Sequence, residues 1–215
     1  MGKTLISNRV VIFGGNLSEI NPEICNEINS TDFIICADAG YKFAVSNNIH
    51  PDLIVGDFDS APIPENQDCE IIKLPTHKND TDLHFAINLA LKRGCNRFIL
   101  TGVTGGRLDH TLATITSLNF LADKAENCYV WDLKSKIFIV NSSISIVKPD
   151  FDCYFSVFPI TENADGVCIK GAEYPLDNAT LVNTFPLGVS NEFKDNNVEI
   201  SLKSGKLLVA IIKKS

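Results

Sequence analysis

Two aspartates flank a single phenylalanine in Gly56-Asp57-Phe58-Asp59-Ser60, directly after the apolar run Leu53-Ile54-Val55. In extended backbone, residues two apart point to one side, about 7 Å apart at Cα. A second carboxylate pair, Asp80 and Asp82, opens a helical pattern at Asp80-Thr81-Asp82. Carboxylates two and three at a time suit a hard cation such as Mg²⁺, which takes one or two of them together with phosphate oxygens. A D-x-D segment also forms an ordinary polar turn with an Asx cap. Asp82 in a first helical turn is favoured by the helix dipole alone, and Asp80 reads equally as a cap.

The second group of chemistry-bearing residues is Thr101-Gly102-Val103-Thr104-Gly105-Gly106-Arg107-Leu108-Asp109-His110, again directly after an apolar run, Phe98-Ile99-Leu100. Glycines between a strand and a helix let backbone N–H groups and a helix N-terminus face phosphate. Arg107 adds a planar charge suited to the same anion. The segment has neither the Walker lysine spacing nor the G-x-G-x-x-G fingerprint. Gly14-Gly15 after the first apolar run and Asp38-Ala39-Gly40 after the second repeat the arrangement in weaker form. His110 reads as a phosphate or ribose contact or as a helix cap. His50, His77 and His84 read as loop or surface residues, and Trp131 as core.

The elements that must position these groups alternate. Apolar runs at Val10–Phe13, Phe33–Ala37, Leu53–Val55, Ile71–Leu74, Phe98–Leu100 and Tyr129–Trp131 predict strands. Between two of them, Leu83, Ala86, Ile87, Ala90 and Leu91 form one apolar helical face. Asn79, Asp80 or Thr81 can cap its start, and Gly94 suits the position past its end. A second helix is expected from near Leu108 to Lys124. Such alternation predicts an α/β fold with a mostly parallel sheet flanked by helices, whose ligands bind at the C-terminal ends of strands. Beyond Leu133 the pattern changes to short strands at 137–140, 144–147, 154–158, 167–169, 198–202 and 207–212, separated by turn signals such as Asp165-Gly166 and Ser204-Gly205. An all-β sandwich or barrel is expected there, giving an α/β domain over 1–133 and a β domain over 134–215.

Composition narrows the function classes. The 215 residues carry a formal net charge of −7, which argues against a broad nucleic-acid surface. It leaves room for a nucleotide, because a bound cation inverts the local field of its carboxylates. Seven scattered cysteines, none at C-x-x-C spacing, argue against a zinc site and fit a reducing cytoplasm. No run approaches the ~20 apolar residues of a membrane span.

Taken together, these segments resemble the thiamine pyrophosphokinase family. Its members carry G-D-x-D-S, then K-D-x-T-D at a helix start, then G-x-x-G-G-R-x-D-H. Here they stand as Gly56–Ser60, Lys78-Asn79-Asp80-Thr81-Asp82 and Gly102–His110, in the same order and at matching spacing. The resemblance is specific from about Cys36 to Ser117. It continues more weakly to Pro186-Leu187-Gly188-Val189-Ser190-Asn191-Glu192-Phe193, which is similar to the family's G-x-S-N segment.

The resemblance implies an enzyme, an ATP-dependent diphosphotransferase that turns ATP and thiamine into AMP and thiamine diphosphate with Mg²⁺. It implies a homodimer with thiamine held at the subunit interface. Asp57, Asp59 and Asp82 would be the catalytic, Mg²⁺-holding carboxylates. Asp38, Gly40, Lys78, Thr104, Gly105, Gly106, Arg107, Asp109 and His110 would line ATP. Asp82, Ser190 and Asn191 would read thiamine. Two departures stand out: Asn79 replaces the aspartate of K-D-x-T-D, and the stretch Ser204–Val209 lacks the aromatic that covers thiamine in some members. The rivals are a diphosphokinase acting on another alcohol, a phosphatase with Asp57 as nucleophile, and a nucleotide sensor without catalysis.

Overall fold

A computed structural model describes residues 8–58, 69–75 and 80–214. Asp59, Ser60, His77, Lys78 and Asn79, all part of the expectations above, lie outside the described residues. The chain divides into two compact units, Met1–Leu133 and Lys134–Ser215.

Among the described residues the first unit has six strands, β1 (Arg9–Phe13), β2 (Phe33–Ala37), β3 (Leu53–Gly56), β4 (Glu70–Lys73), β5 (Arg97–Thr101) and β6 (Asn127–Asp132). All pair in parallel, in the order β4-β3-β2-β1-β5-β6. Parallel strands covered on both faces should be apolar without alternation. Accordingly Phe33–Ala37 is buried at every position, as are Val10 to Phe13. The connections run β1, β2, β3, β4 in one direction and then return to place β5 on the other side of β1. The order therefore reverses between β1 and β5, where a crevice opens beyond the carboxyl ends of open α/β sheets.

Among the described residues four α-helices connect the strands: α1 (Ile24–Glu27), α2 (Gly40–Ser46), α3 (Asp82–Lys92) and α4 (Leu108–Ala122). Of the three expected caps for α3, Thr81 is the one in place: its hydroxyl accepts the His84 N–H at 3.1 Å. Ala86, Ile87 and Ala90 form the buried face of α3. The two alanines let the helix lie close to the sheet, and full burial of Ile87 contributes about 2 kcal/mol. Gly94 beyond the helix end has φ +88°, the left-handed conformation that glycine adopts most cheaply. The helix α4 ends at Ala122, two residues short of the expectation.

The second unit contains seven strands: β7 (Ser135–Val140), β8 (Ser143–Val147), β9 (Cys153–Pro159), β10 (Asn163–Lys170), β11 (Leu176–Val182), β12 (Asn197–Ser201) and β13 (Leu207–Lys213). They pair antiparallel as β7-β13-β9 and as β11-β10-β12-β8. The four-stranded sheet ends at β11 and β8, which do not pair with each other among the described residues, so it is an open sheet as in a sandwich and not a closed barrel. The strand β11 was not expected from sequence. Its segment Leu176-Asp177-Asn178-Ala179-Thr180-Leu181-Val182 has one fully buried side chain, Leu181, and a left-handed residue, Asn178 at φ +47°. An exposed edge strand has little apolar alternation to betray it.

Candidate active site

The carboxylates come from three successive elements at one end of the parallel sheet. Asp38 follows β2, Asp57 follows β3 and Asp82 opens α3. Their carboxylate oxygens lie within 4.8 Å of one another, and all three side chains are half-buried. The backbone bends to bring them together: Asp38 has φ +57° and Phe58 has φ +60°. A non-glycine residue in this region is uncommon and clusters at functional sites. The Asp38 N–H still donates to the Val55 carbonyl at 2.8 Å, so the turn is anchored on the sheet. The left-handed Phe58 corrects the extended geometry expected for the D-x-D pair.

The set that the described residues bring together is thus Asp38, Asp57 and Asp82. Asp38 was expected on the ATP side and not among metal ligands. The signal was available: Asp38 stands after β2 as Asp57 stands after β3. An octahedral Mg²⁺ with ligands at about 2.1 Å sets its oxygens roughly 3–4.2 Å apart. Three oxygens within 4.8 Å, all hard donors, fit such an ion with small side-chain adjustments.

Asp38 and Asp82 also line a cavity of about 370 Å³ together with the Gly14-Gly15-Asn16 and Gly102–Arg107 loops, His110 and Thr114. It sits where β1 and β5 end, at the reversal of strand order. The loop after β5 is shaped by three left-handed glycines, Gly102 (φ +69°), Gly105 (φ +74°) and Gly106 (φ +61°). Gly105 and Gly106 are exposed, and their N–H groups make no hydrogen bond among the described residues. Arg107 caps the start of α4 in extended backbone. Its guanidinium donates twice to Asp109, at 3.1 and 2.6 Å, and the pair is exposed. This bond lowers the Asp109 carboxyl below its ordinary range and raises the Arg107 guanidinium. Thr104 and Gly40 are buried, and His110 is exposed. A Cβ on Gly40 would run into the carbonyl of Phe13, so only glycine lets α2 start this close to β1.

Two residues at this site escaped the sequence. Asn16 donates from Nδ2 to the Thr104 carbonyl at 2.7 Å. Asp132, the last residue of β6, is 1% exposed and accepts the Gly102 N–H at 2.6 Å, the Thr104 N–H at 2.9 Å and the Thr104 hydroxyl. Burial pushes the Asp132 carboxyl up, while these bonds and the Val103 amide pull it back part of the way. Its only sequence signal was a charged residue ending an apolar strand. His84 is also corrected: it is half-buried on α3, with Nδ1 at 3.1 Å from the Ser117 hydroxyl and its ring 5.0 Å from that of Phe120.

In the β unit, Ser190 is exposed with φ +58°, and its N–H donates to the Ser156 hydroxyl at 3.0 Å. Asn191 is 5% exposed. Its side chain donates to the Tyr174 carbonyl at 2.8 Å and accepts the N–H groups of Tyr174 at 3.0 Å and Glu192 at 2.9 Å.

Comparison with known proteins decides what this site belongs to. The model of "Thiamin pyrophosphokinase, catalytic domain" matches residues 24–130, and that of "Thiamin pyrophosphokinase, vitamin B1 binding domain" matches residues 141–207. The chain belongs to the thiamin pyrophosphokinase family. As a member it is a diphosphotransferase, a thiamine diphosphokinase, with ATP as co-substrate. The thiamine pyrophosphokinase of Bacillus subtilis is 26% identical over 204 residues, 92% of this chain and 95% of that one. A crystal structure of the Bacillus subtilis protein aligns with TM-score 0.87 at 24% identity, covering 96% of this chain and 100% of that one. The yeast thiamin pyrophosphokinase structure aligns with TM-score 0.77 at 18% identity, covering 97% and 87%. At these identities the structural likeness speaks for the fold.

Proposed function

We propose that the family's diphosphate transfer runs in the crevice between β1 and β5, with Mg²⁺ held by Asp38, Asp57 and Asp82 among the described residues. The single observation that carries this reading is the convergence of three carboxylates from separate elements beside the glycine-lined cavity. In the reaction the thiamine hydroxyl attacks the β-phosphorus of ATP in line, its proton is lost, and AMP leaves. Transfers of this kind ask mainly for positioning and charge neutralisation. The bound cation would supply part of that neutralisation at the phosphate oxygens. The Gly105 and Gly106 amides and the N-terminus of α4 offer donors to the phosphates. Arg107 exchanges Asp109 for phosphate, which suits a planar guanidinium on an exposed loop. His110 completes the nucleotide side among the described residues, and Lys78, which the resemblance assigns to ATP, lies outside them.

On the β unit, Ser190 reads thiamine, while Asn191 holds the turn that presents it by pairing with Tyr174. The functional molecule is a two-fold homodimer with the site at the subunit interface. Large exposed apolar side chains support an interface on each unit: Leu108 and Leu112, one turn apart on α4, and Tyr174, Phe185, Leu187 and Val189 in the β unit. A cytoplasmic setting agrees with seven cysteines that are all free thiols. Among the described residues no helix is long and apolar enough to cross a membrane.

The test is incubation with ATP, thiamine and Mg²⁺, followed by mass detection of AMP and thiamine diphosphate, with and without chelator. AMP and thiamine diphosphate in equal amounts, lost on chelation, support the reading. A covalent phosphoenzyme, or Mg-ATP binding without AMP, would replace it.

A further inference from the structure

The buried carboxylate of Asp132 needs an explanation of its own. A carboxylate taken out of water is costly unless its oxygens are well paired. Among the described residues its carboxylate partners all belong to one short segment, Gly102 to Thr104. Among the described residues Asp132 closes no ion pair; it grips a single turn. On the other side of that turn, the Thr104 carbonyl accepts from Asn16. The peptide groups flanking Thr104 are therefore held from both ends: N–H and hydroxyl by Asp132, C=O by Asn16. Thr114 adds a bond from its hydroxyl to the Val103 carbonyl at 2.8 Å. Directly after this fixed point come Gly105 and Gly106, which have the widest backbone freedom of any residue pair.

We propose that Asp132 is a positioning residue for diphosphate transfer. Its carboxylate fixes the Gly102–Thr104 turn so that the amides of Gly105 and Gly106 stand ready for the nucleotide phosphates. The inference rests on reading the cavity as the nucleotide site. It also reassigns the Thr104 hydroxyl, which serves Asp132 and not the nucleotide. Without the clamp, two consecutive glycines would have to be ordered by ATP itself, and that ordering entropy would be subtracted from nucleotide affinity.

The experiment compares Asp132→Asn, Thr104→Val, Thr104→Ser and the double variant Asp132→Asn/Thr104→Val. The first replaces an acceptor oxygen by an NH₂ that faces other donors; the second removes only the hydroxyl. Mg-ATP is titrated calorimetrically without thiamine, and KM is measured for both substrates. Asp132→Asn should weaken Mg-ATP binding and raise its KM by ~10–100-fold, the scale of an ångström-level misplacement. The thiamine KM should move less than about threefold, Thr104→Ser should stay near wild type, and the double variant should be no worse than Asp132→Asn alone.

A merely structural Asp132 would lower the active fraction and the melting temperature while leaving KM for ATP unchanged, and that result overturns the proposal. So do equal rises in both KM values, or multiplying effects in the double variant. If Asp132→Asn does not fold, the contrast between Thr104→Val and Thr104→Ser decides, since equal ATP affinities there remove the clamp. Wild-type protein that binds no Mg-ATP would instead sink the nucleotide-site reading itself.

Discussion

The two units treat their polar groups in opposite ways. In the α/β unit, the turns at the strand ends gather three carboxylates within 4.8 Å of one another, beside a crevice lined by the exposed Gly105 and Gly106. In the β unit, the polar residue that most resembles a ligand contact, Asn191, has its amide bonded to Tyr174 and Glu192. The difference follows from architecture. Parallel strands end together, so their C-terminal turns converge on one edge and side chains there have a common target. Antiparallel strands alternate direction, so their turns are divided between two ends and must first satisfy their own backbone groups.

The largest expected effect tests the convergent half. Asp57→Asn and Asp82→Asn should each lower kcat by about a thousandfold or more, the scale of lost metal-held charge stabilisation. Asp38→Asn should fall in the same range if it is a true third ligand. Melting temperatures should hold within a few degrees, because a half-buried like-charge cluster gains from losing one charge. An Asp38→Asn enzyme at full activity would break the trio and return the second ligand position to Asp59.

The contrast between Ser190 and Asn191 tests the other half. Asn191→Ala removes a buried amide that makes three part-buried hydrogen bonds, two to Tyr174 and one to Glu192, each contributing about 0.5–1.5 kcal/mol net. A destabilisation of roughly 2–3 kcal/mol by denaturant titration is expected, with ATP binding unaffected. Ser190→Ala, at an exposed position, should change stability by less than about 0.5 kcal/mol yet raise the thiamine KM. If Asn191→Ala is as stable as wild type, its hydrogen bonds are not holding the turn, and the two units differ less than argued.

This asymmetry also explains what could be read from sequence. The strands β1, β2, β3 and β5 were legible because burial on both faces writes continuous apolar runs, as at Phe33–Ala37, while the exposed β4 and the alternating β6 showed only shorter apolar stretches. The helix α3 was legible from its alanine and isoleucine face. The glycine-rich turn and the aspartates were legible because their residue types are themselves chemical. Asp132 was not, since one acidic residue at a strand end says nothing of a partner 28 to 30 positions earlier in the chain. The left-handed Phe58 was not, because no propensity favours it; only the convergence of Asp38, Asp57 and Asp82 accounts for it. The strand β11 was not, since an exposed edge carries no burial pattern.

A smaller effect sharpens the role of the loop amides. Gly106 has φ +61° with only the Asn16 amide nitrogen near a Cβ, at 3.5 Å. Gly106→Ala therefore meets no clash and bears backbone strain alone, about 1–2 kcal/mol. Released from its conformation, the turn should bind Mg-ATP several-fold less tightly while the thiamine KM stays put. Equal loss for both substrates would mean that the loop supports the fold and not the phosphates.

The smallest effect leaves activity untouched and compares the cores. Burial pushes the Cys95 and Cys128 thiols up to about 11 and raises Cys36 and Cys153 as well. At pH 8 a thiol of that pKa is thiolate in about one part in a thousand, against roughly a quarter for an ordinary cysteine, and only the thiolate is alkylated. Cys36, Cys95, Cys128 and Cys153 are also sterically buried, whereas Cys25, Cys69 and Cys168 are half-exposed. Brief iodoacetamide treatment of the native protein should label the last three, one of them in the β unit, at least a hundredfold faster. Peptide mass mapping reads the order directly. Rapid labelling of Cys36 or Cys128 would mean that the parallel sheet opens readily around β2, which Asp38 follows, or β6, which ends in Asp132. The rigid crevice on which the contrast between the units depends would then be lost.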